Sequence, residues 1–236
     1  VIYQTAGTYA FTVPIGVRTL YITTRGGGGG GGGGAGNGGD GWAGGGGGSG
    51  YCNFSDVAFA VTPGQICSLI VGAGGAGGAA GNYANGGTGG SGGTSSFNGA
   101  HASPGGGGGL GAVINSYTTR AGGAGAFNGS VGATSFSNWY LGGNGAGTAQ
   151  AGYIVIANST ACLASKGGNS ASFVGVPCGY VYVAKYTGYY GNGGAGAGDL
   201  GTGVGIVGGP GGGGGAGTYS IQAGGNGGVG YVKVRW

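Results

Sequence analysis

The chain has 236 residues, of which 77 are Gly, and a formal net charge of +4 from seven basic and three acidic side chains. Val 18, Ile 10, Leu 6 and Phe 7 supply only 41 large apolar residues, too few for an ordinary core over this length. Collagen is excluded because Gly occurs in long runs and Pro only five times, without the strict Gly-X-Y period. Charge-driven disorder needs a higher net charge.

The first strand is predicted over Thr8–Val13, where Tyr9, Phe11 and Val13 share one face and Thr8, Ala10 and Thr12 the other. That alternation is the period of two of a half-buried strand. Pro14-Ile15-Gly16 turns the chain into a second strand, Val17–Thr24, with Leu20 and Ile22 on one face. A second hairpin is expected from Val57, Phe59 and Val61, through the turn Thr62-Pro63-Gly64-Gln65, to Ile66–Val71. Its Pro and Gly occupy the central positions that a tight turn favours. The last strand is read from Val229 to Trp236, with Val232, Val234 and Trp236 inward and Tyr231, Lys233 and Arg235 outward. No window carries an amphipathic helical pattern, and glycine opposes helix in every long tract.

Glycine tracts lie between these strands. From Gly74 to Thr94 the chain reads GGA GGA AGN YAN GGT GGS GGT, so Ala76, Ala79, Thr88, Ser91 and Thr94 all fall third in the triplet. A three-residue repeat matches an extended left-handed helix of three residues per turn and about 3.1 Å rise. The Gly-Gly positions would form bare ridges at which neighbouring helices exchange main-chain hydrogen bonds, and the third positions would face outward. A lone exposed tract cannot offset an ordering cost of about 1–2 kcal/mol per residue. A bundle can, because each interior peptide then pairs. The expected fold is therefore mainly β, a small β-sandwich clamp with an inserted polyglycine-II helix bundle and little or no α-helix. It forms a single domain over 1–236. Strands lie within 1–25, 51–72, 94–103 and 229–236, tracts at 26–50, 74–94, 105–109 and 191–217, and an aromatic loop insert at 113–190.

Chemistry has few places to reside. The acids are Asp40, Asp56 and Asp199, and His101 is the one imidazole; no nucleophile elbow, paired carboxylate or clustered metal-ligand spacing accompanies them. The many GxGxxG matches precede no helix pattern, so phosphate binding is not expected. No enzyme activity, metal or cofactor is therefore expected. Isolated basic residues give no nucleic-acid patch, and no apolar run of 18 residues suggests membrane insertion. Cys52, Cys67, Cys162 and Cys178 suit an oxidised, extracellular product. Three pairings are possible, with Cys162–Cys178 and Cys52–Cys67 favoured and four reduced, buried thiols the alternative. Tyr and Trp concentrate in the insert, and such rings give rigid, amphipathic contact area. Trp139, Tyr140, Tyr186, Tyr189 and Tyr190 are the candidate receptor-binding residues; the alternative is that these rings cover the glycine core.

Gly7-Thr8-Tyr9-Ala10-Phe11-Thr12-Val13-Pro14-Ile15-Gly16-Val17, followed by a strand and a glycine run, resembles the opening of glycine-rich phage tail-fibre domains. Val61-Thr62-Pro63-Gly64-Gln65 running into Ile70-Val71-Gly72-Ala73-Gly74-Gly75, Gly93-Thr94-Ser95-Ser96-Phe97, and the closing Gly224–Trp236 are similar to that family too. The likeness frames 7–110 and 208–236. It implies a distal adhesin that displays variable loops on polyglycine-II stacks and recognises a glycan or outer-membrane protein on the host cell surface. Its other partner would be the remainder of the tail fibre, or further copies of the chain. Springtail antifreeze proteins resemble it in the helix bundle alone. A structural subunit of an extracellular filament or matrix is the rival expectation, and an ice-binding protein the third, its flat face supplied by the triplets of 74–94.

Overall fold

The computed structural model describes residues 1–36, 41–42, 44–48, 50–51, 54–114, 211–215, 217 and 222–236. The described part is mainly β and contains no helix of the α type. Its longer strands are β2 (Gly7–Thr12), β3 (Thr19–Arg25), β6 (Phe54–Ala60), β7 (Ile66–Val71) and β11 (Tyr231–Arg235). Shorter ones are β1 (Ile2–Tyr3), β4 (Ala35–Gly36), β5 (Gly41–Trp42), β8 (Gly81–Asn82), β9 (Ser95–Phe97) and β10 (His101–Ser103). Two four-stranded antiparallel sheets have the orders β1-β11-β3-β6 and β10-β9-β7-β2. Leu20, Ile22, Val232 and Val234 from the first sheet pack against Phe11, Cys67, Leu69, Val71 and Phe97 from the second. The alternation of apolar residues thus closes two inner faces into one sandwich.

The turn at Thr62–Gln65 does not make the expected hairpin: β6 pairs with β3 in one sheet, and β7 with β2 in the other. The turn at Pro14–Val17 crosses between the sheets in the same way. Each arch takes the main-chain groups that a hairpin would have needed. Val61 N–H donates to the Arg18 carbonyl at 2.9 Å, and Val13 N–H to the Gln65 carbonyl at 2.9 Å. Trp236, expected inward, is 54% exposed. It lies one residue past the ladder with its ring centroid 5.8 Å from that of Phe11. Tyr231, expected outward, is buried at the other end of the same strand.

Past the sandwich the glycine tracts form seven extended helices among the described residues. Gly26–Gly34 lies at the centre, and all nine of its N–H groups are used in a strict rotation of three. Gly26, Gly29 and Gly32 donate to Tyr51, Gly48 and Gly45; Gly27, Gly30 and Gly33 to Gly93, Gly90 and Gly87; Gly28, Gly31 and Gly34 to Gly228, Gly225 and Gln222. These three partner tracts run antiparallel to the centre. The central carbonyls accept from three parallel tracts: Gly106, Gly109 and Ala112; Gly75, Gly78 and Gly81; Gly214 and Gly217. Six helices of alternating direction therefore ring a seventh, with three residues per turn, as polyglycine II requires. The central helix is about 28 Å long at this rise.

Positive φ among the described glycines is confined to Gly7, Gly16, Gly64, Gly99 and Gly211, so the tracts do not need glycine for its torsional freedom. They need it for space. A Cβ on Gly26, Gly29 or Gly30 would overlap the carbonyl of Pro104, Gly107 or Ala76. The nine consecutive glycines at 26–34 give a helix bare on all three faces, which the centre of a hexagonal ring demands. Outer helices need glycine on their inward faces only, so Ala73, Ala76, Ala79, Thr88, Ser91 and Thr94 sit exposed in the outward rows. Residues 222–230 form the seventh helix, a tract the sequence reading does not include, and β11 starts at Tyr231, two residues after the expected Val229.

A Gly30→Val substitution is expected to cost more than about 4 kcal/mol, since backbone must move to admit the side chain. Ser91→Val, on an exposed outward row, is expected to stay within about 0.5 kcal/mol. Urea unfolding of both variants measures the contrast.

Candidate functional site

The candidate receptor-binding residues Trp139, Tyr140, Tyr186, Tyr189 and Tyr190 lie outside the described residues, as do Cys52, Cys162 and Cys178. What the structure defines is the frame that holds both ends of their segment. One anchor is at the end of the bundle far from the sandwich. Ala112 N–H donates to the Gly33 carbonyl at 2.9 Å, Ile114 N–H donates to Asn85 Oδ1 at 3.0 Å, and Ala112 packs on Ala35. The other is at the sandwich end. Gly211 donates to the Val229 carbonyl and accepts from Gly50 N–H, each at 2.8 Å. Its φ of +71° is in the left-handed region, and a Cβ there would overlap Arg25 Cδ. Gly211 is thus required both by torsion and by space.

Arg25 joins the two parts of the domain. It ends β3, is wholly buried, and immediately precedes the central helix. Its guanidinium lies 5.7 Å from the Tyr231 ring centroid, a cation–π distance. Desolvation by burial lowers its pKa, and the charge of Tyr231 acts the other way. A polar layer surrounds this junction. Ser95 Oγ accepts from Gly72 N–H at 2.9 Å, and the Ser103 hydroxyl donates to the Thr24 carbonyl at 2.9 Å. That leaves the Thr24 hydroxyl to donate to Ser103 Oγ, 2.7 Å away. These hydroxyls satisfy main-chain groups where sheet pairing stops and helix pairing starts. Sequence reasoning missed this layer, although one signal was present: Thr24, Ser95 and Ser103 each stand within two residues of a glycine tract or the proline that opens one.

The remaining described chemistry-bearing residues serve the sandwich; Asp40 and Asp199 lie outside the described residues. Cys67 is a free thiol, wholly buried opposite Phe11 in the β2–β7 ladder, so the favoured bridge to Cys52 is absent at its Cys67 end. Its inward register places the sulfur in the apolar core. Burial pushes its pKa up from 9.0. His101 packs edge-on against Phe59 at 5.2 Å. Asp56, at a β-bulge with φ +52°, accepts from Arg235 at 2.8 Å in an ion pair exposed on both sides. Such pairs contribute about 0–1 kcal/mol. No group of three or more His, Cys, Asp or Glu able to hold a metal occurs among the described residues, and no described helix is long and apolar enough to cross a membrane.

The glycine-rich domain family matches residues 4–236, and the chain belongs to that family. No curated protein matches it.

Gly211→Ala is expected to lower stability by about 1–3 kcal/mol, from the left-handed torsion and the approach of Arg25; thermal unfolding checks it. Cys67 is expected to resist a thiol reagent until the chain unfolds. Because its folded pKa is raised, its contribution to stability is full below pH 9.0 and is lost as pH rises through the folded value. Comparing Cys67→Ala with the parent from pH 8 to about 10.5, against the ordinary Cys range, isolates that contribution.

Proposed function

We propose that this domain is a non-catalytic receptor-binding unit at the tip of a phage tail fibre, acting outside the cell. Its ligand would be a host cell-surface glycan or outer-membrane protein, with no cofactor. The remainder of the fibre, or further copies of the chain, would carry it. The resemblance of the opening, middle and closing segments to tail-fibre domains supports this reading. One observation carries it: a frame of polyglycine-II helices joined by main-chain hydrogen bonds holds both ends, Ile114 and Gly211, of the segment richest in Tyr and Trp.

Affinity in such a design comes from preorganisation. The frame is ordered before binding, so less conformational entropy is lost when the aromatic segment meets its receptor. Rings of Trp139, Tyr140, Tyr186, Tyr189 and Tyr190 stack on sugar faces or fill protein pockets with few rotatable bonds. The Ser, Thr and Asn residues around them offer hydrogen bonds to sugar hydroxyls.

A second reading has one specific observation in its favour. The exposed rows Ala73/Ala76/Ala79 and Thr88/Ser91/Thr94 lie on adjacent helices. They repeat about every 9.3 Å along the bundle, three residues at polyglycine-II rise. A regular face of that kind suits adsorption to a repetitive surface such as ice.

The purified chain is expected to compete with phage for adsorption to host cells. Replacing the five aromatic residues by Ala should reduce that competition at least about tenfold, a loss of 1.4 kcal/mol, without changing the melting temperature. Unchanged competition with the fold intact refutes the assignment. Fibre formation by the pure chain would favour the structural-subunit reading, and thermal hysteresis the ice-binding one.

A further inference from the structure

The two sheets of the sandwich end on β1 and β6, and on β10 and β2. An edge strand presents free N–H and C=O groups that invite pairing with another chain, and proteins usually blunt it. Three of these edges are blunted. β1 has two residues and β10 three. β6 is longer, but a bulge interrupts its ladder. Asp56 stands there at φ +52°, its N–H donating to Thr23 Oγ at 3.0 Å and its carboxylate held by Arg235. β2 has none of these devices. Over Gly7-Thr8-Tyr9-Ala10-Phe11-Thr12 it carries no charge, no proline and no break in register.

The register shows which groups are free. Just past the ladder, Val13 N–H donates to the Gln65 carbonyl. In an antiparallel pair every second pair of residues is hydrogen-bonded, so Phe11/Cys67 and Tyr9/Leu69 are bonded pairs. Thr8, Ala10 and Thr12 stand opposite Ile70, Ser68 and Ile66 in the others. Ser68 confirms this parity: its carbonyl turns away from β2 and accepts from Asn98 N–H at 2.7 Å. The main-chain groups of Thr8, Ala10 and Thr12 thus point out of the sheet, which has no further strand on that side. Their side chains are exposed. Two exposed apolar residues stand beside this edge. The Trp236 ring lies against Phe11, and Ile2 adjoins Tyr3, whose ring is 5.0 Å from that of Tyr9.

We propose that β2 pairs with β2 of a second copy of this chain, antiparallel about a two-fold axis at Ala10. The strand's own chemistry selects this occupant, because it is self-complementary. Thr8 faces Thr12 of the second copy, Ala10 faces Ala10, and Thr12 faces Thr8. Each of these pairs exchanges two main-chain bonds, about six in all. No charge opposes a like charge, and Thr opposite Thr is a favourable cross-strand pair. Trp236 and Ile2 beside the edge add apolar surface to the main-chain contact. A two-fold contact closes on itself, so the product is a dimer and not the open fibre of a structural subunit. The pairing is independent of what the aromatic segment binds.

Sedimentation of the full chain over a concentration series tests this. A reversible monomer–dimer equilibrium is expected; a monomer throughout, or fibres, overturns the proposal. Ala10→Pro removes the central outward N–H, which the fold does not use, and should weaken the dimer at least about tenfold. An unweakened dimer in the folded variant overturns the pairing. Should that variant unfold, the exposed threonines decide. Thr8→Lys with Thr12→Lys sets like charges opposite each other and should dissociate the dimer. Thr8→Lys with Thr12→Asp sets opposite charges there and should restore it. A dimer that persists through the first pair of changes, or fails to return with the second, overturns the pairing.

Discussion

Everything in this domain depends on one interaction, the main-chain hydrogen bond between polyglycine-II helices packed too closely to admit a Cβ. The central helix Gly26–Gly34 donates from every N–H to three neighbours and accepts from three others. A single such helix in water would gain nothing from its free peptides and lose the conformational freedom of nine glycines. Ringed by six, it has its peptide groups satisfied and its packing close. The stability is therefore collective.

That constraint explains why a β-sandwich sits at one end. Helices held only by their neighbours need their ends brought to the right places, and strands do this with ordinary side-chain packing. β3, β7 and β11 lead into or out of the helices beginning at Gly26 and Gly72 and the one ending at Gly230. The two arches that cross between the sheets alternate the chain so that both inner faces are filled from few apolar residues. Arg25 and the hydroxyls of Thr24, Ser95 and Ser103 fill the seam where sheet pairing gives way to helix pairing. Among the described residues, the large buried aliphatic side chains and Phe11 and Phe97 are thus gathered in the sandwich.

The alternation of Phe11 and Val13, Leu20 and Ile22, and Val232 and Val234 was legible, and each pair is buried. The triplet frame of 74–94 was legible too, and its third positions Ala76, Ala79, Thr88, Ser91 and Thr94 are exposed. The arch at Thr62–Gln65 was not, because turn residues report a reversal and not which strand receives the hydrogen bonds. The seventh helix, 222–230, was not legible: its last two residues were read as the start of the closing strand, because both are extended and differ only in their partners. Cys67 shows the same limit: spacing offers pairings, whereas register put its sulfur in an apolar core opposite Phe11. Of the candidate site, composition marked the aromatic segment, and nothing in it marked the two anchors.

The sequence by itself determined the kind of structure and the identity of its centre. Nine consecutive glycines make the one helix bare on all faces, and side-chain size alone decides which tract can be enclosed. Only the tertiary structure decided which tract lies against which, in what direction, and where the aromatic segment is attached. Those choices rest on main-chain hydrogen bonds, and the main chain is the same at every glycine, so the letters carry no record of the partner.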